Sequence, residues 1–238
     1  MVESILLAAT RVSTFAGPLA LTSATGFFFE RGERLFLITS RHVVFDERSS
    51  HLPDRLEFIV HTDATDLTQT RVMSLRLYEG GKAIWRQGRD AGGEVDVAAI
   101  ELDRAVLPAS AAMYCFRPDH LQANLAELEV SAPIYVVGFP LGFYDTVHNL
   151  PVVRHGAIAS AFGVRFQGEG YFLTDARTHR GMSGAPVVLR TTDNGPLPWK
   201  LLGVHASGLD MRDRDREVDE SLGLNIAWYA DILLVLTN

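Results

Sequence analysis

Three short segments carry side chains that could perform nucleophilic chemistry. The first is Gly181-Met182-Ser183-Gly184-Ala185-Pro186, a serine between two glycines just ahead of the apolar run Val187-Val188-Leu189. A hydroxyl becomes a useful nucleophile where backbone approaches closely and free N–H groups lie beside it, and flanking glycines permit both. A plain turn is the competing account of a Gly-Ser pair. The second is His42, directly after Arg34-Leu35-Phe36-Leu37-Ile38-Thr39-Ser40-Arg41, an apolar run that ends in polar residues. A residue just past a strand end sits where scaffolds usually present reactive groups; the alternative is a capping or surface histidine. The third is Asp96 in Glu94-Val95-Asp96-Val97-Ala98-Ala99-Ile100. A carboxylate in a buried strand needs a dedicated partner, and a histidine N–H is one. Otherwise Asp96 faces solvent. A serine hydroxyl is inert at neutral pH until a base takes its proton. His42 oriented by Asp96 would supply that base, and the N–H groups of Gly181 and Ser183 would face the developing oxyanion.

The elements that must position these residues read as strands. Period-2 and β-branched or aromatic runs cover Thr25–Glu30, Arg34–Thr39, Arg55–His61, Val72–Tyr78 and Val95–Leu102. Gly80-Gly81 turns the chain into Lys82–Arg86. A second group covers Pro133–Phe139, Val152–Ala161, Arg165–Thr174, Pro186–Arg190, Lys200–Ala206 and Leu222–Trp228. Between the groups, Leu121–Leu128 has helix-like spacing within a connector. Tyr229–Leu236 reads as a C-terminal helix packed on the second group, and the charge-rich Asp210–Glu220 as a solvated loop. Many short strands in two groups suggest paired barrels or sandwiches.

Composition narrows the function classes. The chain has 238 residues, 47% hydrophobic, with a formal net charge of −7, so a sizeable core is available and nucleic-acid binding is disfavoured. Cys115 is the single cysteine; with no internal disulfide possible, a reducing compartment and a cytoplasmic location are expected, a bridge-free secreted protein being the alternative, and Cys115 is expected to be a buried filler. The N-terminal residues Met1–Arg11 show neither a basic n-region nor a long apolar run, so no signal, membrane span or pro-segment is expected. No Cys-x-x-Cys, His-Glu-x-x-His or phosphate-loop pattern occurs, so no metal or cofactor is expected. His148 and His155 lie close in sequence, but no carboxylate is paired with them at ligand spacing, and they read as loop histidines. A Gly-x-Ser-x-Gly elbow and strand–helix alternation are both missing, which excludes an α/β-hydrolase reading.

In the order His, Asp, Ser, the three segments resemble those of chymotrypsin-type serine peptidases. Thr25-Gly26-Phe27-Phe28-Phe29 with Leu37-Ile38-Thr39-Ser40-Arg41-His42-Val43-Val44 is similar to the strand–histidine segment of bacterial trypsin-like members. Val95-Asp96-Val97-Ala98 matches the aspartate segment and Gly181–Val187 the nucleophile segment, with Ala185 where glycine or serine is commoner. Val137-Gly138-Phe139-Pro140-Leu141-Gly142 resembles the Do-like and glutamyl-endopeptidase branches. The resemblance implies an all-β protein of two six-stranded antiparallel β-barrels with a short C-terminal helix. A single peptidase domain would then comprise a first barrel over 1–107, a connector over 108–131, a second barrel over 132–228 and the helix over 229–238. It implies a His42–Asp96–Ser183 triad, an oxyanion hole at Gly181 and Ser183, and endopeptidase activity through an acyl-enzyme. Gly203-Val204-His205-Ala206-Ser207-Gly208 resembles a pocket segment of glutamyl endopeptidases and viral 3C-type peptidases, where the histidine favours Glu or Gln before the scissile bond. Thr178 matches a pocket position of the glutamyl enzymes, and Arg177 and Arg180 add positive charge; Thr178, Arg180, His205 and Ser207 are therefore the expected substrate contacts. The carboxylate that gives trypsin its Lys/Arg preference falls on Arg177. Met182 replaces the aspartate that pairs with a new N-terminus in zymogen-activated relatives, so control by a regulatory protein partner or a larger assembly is expected instead. A catalytically silent module binding peptides or proteins through the same cleft is the alternative; no nucleic-acid or membrane partner is expected.

Overall fold

The computed structural model describes residues 2–124, 127–210 and 221–238. The charge-rich stretch expected to be a loop therefore lies almost wholly outside the described residues.

The first half contains β1 (Ala9–Ala16), β2 (Leu19–Arg31), β3 (Arg34–Thr39), the single-turn helix α1 (Arg41–Val44), β4 (Arg55–His61), β5 (Thr70–Arg76), the short hairpin β6 (Tyr78–Glu79) and β7 (Lys82–Ala83), β8 (Trp85–Asp90) and β9 (Gly93–Leu102). Seven of these strands form one antiparallel sheet in the order β5-β4-β1-β2-β3-β9-β8. The second half contains β10 (Pro133–Gly138), β11 (Val152–Ala157), β12 (Tyr171–Thr174), β13 (Pro186–Arg190), β14 (Trp199–Asp210) and β15 (Ser221–Tyr229), in the order β11-β10-β13-β14-β15-β12. Both sheets curl into barrels of the chymotrypsin type. The first has seven strands where six were expected, because β8 adds itself to the free side of β9.

Apolar runs without alternation mark strands buried on both faces. Along β3, Leu35 and Leu37 point into the first barrel with Val12, Phe28 and Phe58. Phe36 and Ile38 point the other way, into a core shared with Val188, Leu201, Val204 and Trp228 of the second half. Because side chains alternate in direction along a strand, a strand between two cores must be apolar at every position. The same division operates in the second barrel. Val187 and Leu202 face its interior with Ile134, Val136 and Phe172, while their neighbours Val188 and Leu201 face the interface. Each fully buried large side chain contributes about 1.5–3 kcal/mol, so the interface core makes the two barrels one cooperative body and the cleft between them a fixed feature.

Two expectations change. The connector is not helical at Leu121–Asn124. Apart from a 3₁₀ turn at Pro118–His120, it is tied down as extended chain, with Phe116 N–H donating to Phe28 O at 2.9 Å and Glu30 N–H donating to Phe116 O at 2.8 Å, and with Leu121 bridging to Leu201. Strand edges satisfy its backbone better than an isolated turn would. The C-terminal helix α2 (Leu233–Leu236), preceded by a 3₁₀ turn at Ala230–Ile232, crosses back to the first barrel. Ile232 and Leu236 fill the space left by Gly88 on β8. Arg34 donates to Thr237 O at 3.3 Å and Arg86 to Asn238 O at 2.7 Å, cations placed where the end of a helix leaves carbonyls unpaired.

Candidate active site

His42 is carried on α1, immediately beyond β3. Its Nδ1–H donates to Asp96 Oδ2 at 2.7 Å, and its backbone N–H donates to Asp96 Oδ1 at 2.9 Å. One carboxylate therefore fixes both the ring and the main chain of the histidine. With the proton on Nδ1, Nε2 is left as the acceptor. Burial disfavours the imidazolium, but the hydrogen bond His42 donates to Asp96 and the charge of that carboxylate outweigh the effect, with a further contribution from Asp46, so the His42 pKa stands above its ordinary value.

Ser183 lies in the turn before β13. Gly181 has φ +92°, a conformation favouring glycine, and a Cβ there would overlap the Phe139 carbonyl. Met182 is fully buried in the second-barrel core and anchors the turn by packing. Among the described residues, the N–H groups of Gly181 and Ser183 have no protein acceptor, while the preceding Arg180 carbonyl accepts from Leu141 N–H. Two free donors on one turn are what an oxyanion site requires. The Ser183 hydroxyl donates to Ala206 O at 2.9 Å.

The histidine and serine segments converge on one atom. The His205 carbonyl accepts from Ser40 Oγ at 3.1 Å and from Gly184 N–H at 2.8 Å. Ser40 is two residues before His42, and Gly184 is next to Ser183, so β14 ties the segments from the two barrels together.

Beside Ser183 opens a cleft of about 770 Å³, lined in part by Thr178, Arg180, His205, Ser207 and Asn225. These include all four expected substrate contacts. Asn225 was not expected. Its amide donates to Ala176 O at 2.6 Å and Thr174 O at 3.3 Å, and its Oδ1 accepts the Thr178 hydroxyl at 2.6 Å. The signal in the sequence was a single amide between the apolar residues Leu224 and Ile226. His205 is 2% exposed. Burial, with a smaller contribution from the charge of His42, pushes its pKa down to about 4, so its ring is neutral at physiological pH. Its buried Nδ1 has no hydrogen-bond partner among the described residues. On the other side of His42 a second depression of about 350 Å³ is lined by Arg41, Asp46, Arg48 and Glu94.

The remaining candidates serve structure. His148 Nδ1 pairs with Asp145 Oδ2 at 2.7 Å, three residues earlier. His155 belongs to β11 and packs its ring against Tyr135 at 5.4 Å between centroids. Among the described residues no group of three or more His, Cys, Asp or Glu could hold a metal ion. Cys115 is half-buried, and burial pushes its thiol pKa up to about 11, which leaves it a poor nucleophile. No described helix is long and apolar enough to cross a membrane.

Two barrels, with His42 and Asp96 on the first and Ser183 on the second, define the class of trypsin-like peptidases. The chain belongs to the trypsin-like peptidase domain family, whose family model matches residues 24–194. Among solved structures, it is similar to an HtrA-type protease with a tripeptide, at 16% identity and a TM-score of 0.58 over 98% of this chain and 59% of that one. It is also similar to a serine endoprotease from Yersinia pestis, at 14% identity and a TM-score of 0.54 over 98% of this chain and 62% of that one. The chain thus spans about three fifths of the length of these structures, and at these identities they establish the fold. No curated protein matches.

Proposed function

We propose that the chain is a serine endopeptidase acting through an acyl-enzyme, with His42, Asp96 and Ser183 as its triad. The observation that carries this reading is the double grip of Asp96 on His42, which fixes the tautomer that leaves Nε2 as a base. Ser183 Oγ rotates from the Ala206 carbonyl toward His42 Nε2, which takes its proton as Oγ bonds to the substrate carbonyl carbon. The oxyanion faces the N–H groups of Gly181 and Ser183, and losing one such donor typically costs about 10²–10³ in rate. The peptide C–N bond then breaks, the leaving amine takes the proton from His42, and an ester on Ser183 remains. Water, deprotonated by His42, attacks that ester, and the acid product leaves with Ser183 restored.

The same cleft supports preference for Glu or Gln before the scissile bond. Neutral His205 offers a ring N–H to a carboxylate or an amide carbonyl, the Thr178 oxygen, whose proton is held by Asn225, can accept from an amide N–H, and Arg177 and Arg180 favour the charged member. The serine proton resting on Ala206 O supports the alternative, a silent or partner-dependent module whose resting serine is not engaged by its base. A reducing, cytoplasmic setting fits the single thiol.

A fluorophosphonate probe tests the reading. Labelling of the wild type, lost in Ser183→Ala, is expected; no labelling of the wild type favours the alternative. A peptide panel varied at the residue before the cleaved bond tests specificity, and preferred cleavage after Leu or Arg overturns the Glu/Gln assignment.

A further inference from the structure

An oxyanion turn carries an internal conflict. Its two N–H donors must stay unpaired for the substrate, so they cannot help hold the turn in place. Beyond the packing of Met182 and its N–H bond to His179 O, the turn is held by its carbonyls. All four carbonyls from Arg180 to Ser183 are occupied: Arg180 O by Leu141 N–H, Met182 O by Ala185 N–H at 2.9 Å, Ser183 O by Thr25 N–H at 3.0 Å, and Gly181 O by the Thr25 hydroxyl at 2.7 Å. Two of the four bonds come from one residue of the other barrel.

We infer that Thr25, on β2 of the first barrel, is the positioning residue of the oxyanion turn; this rests on the peptidase reading above. Its hydroxyl is used twice, donating to Gly181 O and accepting Phe139 N–H at 3.1 Å. Phe139 begins the loop that supplies Leu141 N–H to Arg180 O, so the same hydroxyl also secures the neighbouring clamp. Thr25 is fully buried, which removes water as a substitute partner and makes an orphaned carbonyl or N–H costly. The surroundings are cut to fit it. A Cβ at Gly138 would sit 2.6 Å from Thr25 Oγ1, and one at Gly184 would overlap Thr25 O. Both glycines occur in motifs beside the reactive turn, and close approach to Thr25 accounts for each.

The test is Thr25→Val, which keeps the shape and removes the hydroxyl, beside Thr25→Ser, which keeps the hydroxyl. A small displacement of catalytic groups can cost about 10²-fold. In Thr25→Val, kcat is expected to fall about tenfold to a hundredfold, with KM within about twofold. Affinity for a peptide boronate, which fills the oxyanion site, should fall by the same factor as kcat, and affinity for the cleaved product peptide should not change. Thr25→Ser should keep wild-type kcat. A Thr25→Val enzyme at wild-type kcat, a loss confined to KM, or an equal loss in Thr25→Ser overturns the assignment. If Thr25→Val does not fold, Thr25→Cys, a weaker donor of similar size, carries the same comparison. Should the wild type show no turnover, the peptidase reading fails separately. Crystal structures of wild type and Thr25→Val then decide: a displaced Arg180–Gly181 peptide supports the role of Thr25, and a superposable turn overturns it.

Discussion

Asp96 grips His42 twice, through the ring at 2.7 Å and through the main chain at 2.9 Å. The bond to the main chain orients α1 on the end of β9, and the bond to the ring selects the tautomer. Replacing the carboxylate by an amide keeps the size and places an N–H donor toward Nδ1. Asp96→Asn is therefore expected to fold and to lose about 10⁴-fold in kcat, read by steady-state cleavage of a peptide substrate and by circular dichroism.

The raised His42 pKa sets the pH dependence. Only neutral His42 can accept the serine proton, so kcat/KM should rise with pH through a limb lying above the ordinary imidazole value. The sign for stability is opposite. A histidine whose folded pKa is raised stabilises the fold fully below its unfolded value, and that contribution fades as pH rises through the folded value. A kcat/KM profile whose acid limb lies at or below the ordinary imidazole value contradicts the paired geometry.

In the cleft beside Ser183, Asn225 holds Thr178 in place. Asn225→Leu removes the acceptor of the Thr178 hydroxyl and frees the Thr174 and Ala176 carbonyls. For a substrate with Gln before the scissile bond, KM should rise by about tenfold, the order expected from one lost buried hydrogen bond. The rate of fluorophosphonate labelling, which needs only the triad, should change little. Equal effects on both would place Asn225 in the catalytic machinery.

Two glycines with similar backbone angles should respond differently to alanine. Gly184 has φ +83° and no room for a Cβ beside Thr25 O and Thr39; Gly17 has φ +54° and open space. Gly17→Ala pays only the backbone cost, about 1 kcal/mol. Gly184→Ala adds a steric clash with main chain and should destabilise by about 3 kcal/mol or more. Urea unfolding of the two variants measures the difference.

The strands were legible because their signals are local. Arg34–Thr39, Arg55–His61 and Pro186–Arg190 are strands at the residues their apolar patterns mark. Polar strands were harder to see. Ala9–Ala16 and most of Trp85–Asp90 went unread because an edge or half-exposed strand carries polar side chains on its free face. The helix-like spacing at Leu121 reflected apolar residues reaching a core from an extended chain, a pattern that periodicity alone cannot tell from a helix turn.

By itself, the sequence determined which side chains can do chemistry and that two groups of strands must carry them. Folding alone decided what holds those side chains. Thr25 and Gly181 are 156 residues apart, Ser40 and His205 are 165 apart, and Thr178 and Asn225 are 47 apart. Nothing in the residues around Thr25 marks its hydroxyl as the partner of a distant carbonyl. The first two pairings are hydrogen bonds to main-chain oxygens, which place almost no demand on the identity of the accepting residue, so they leave no mark on one of their two partners and become visible only when the barrels close on each other.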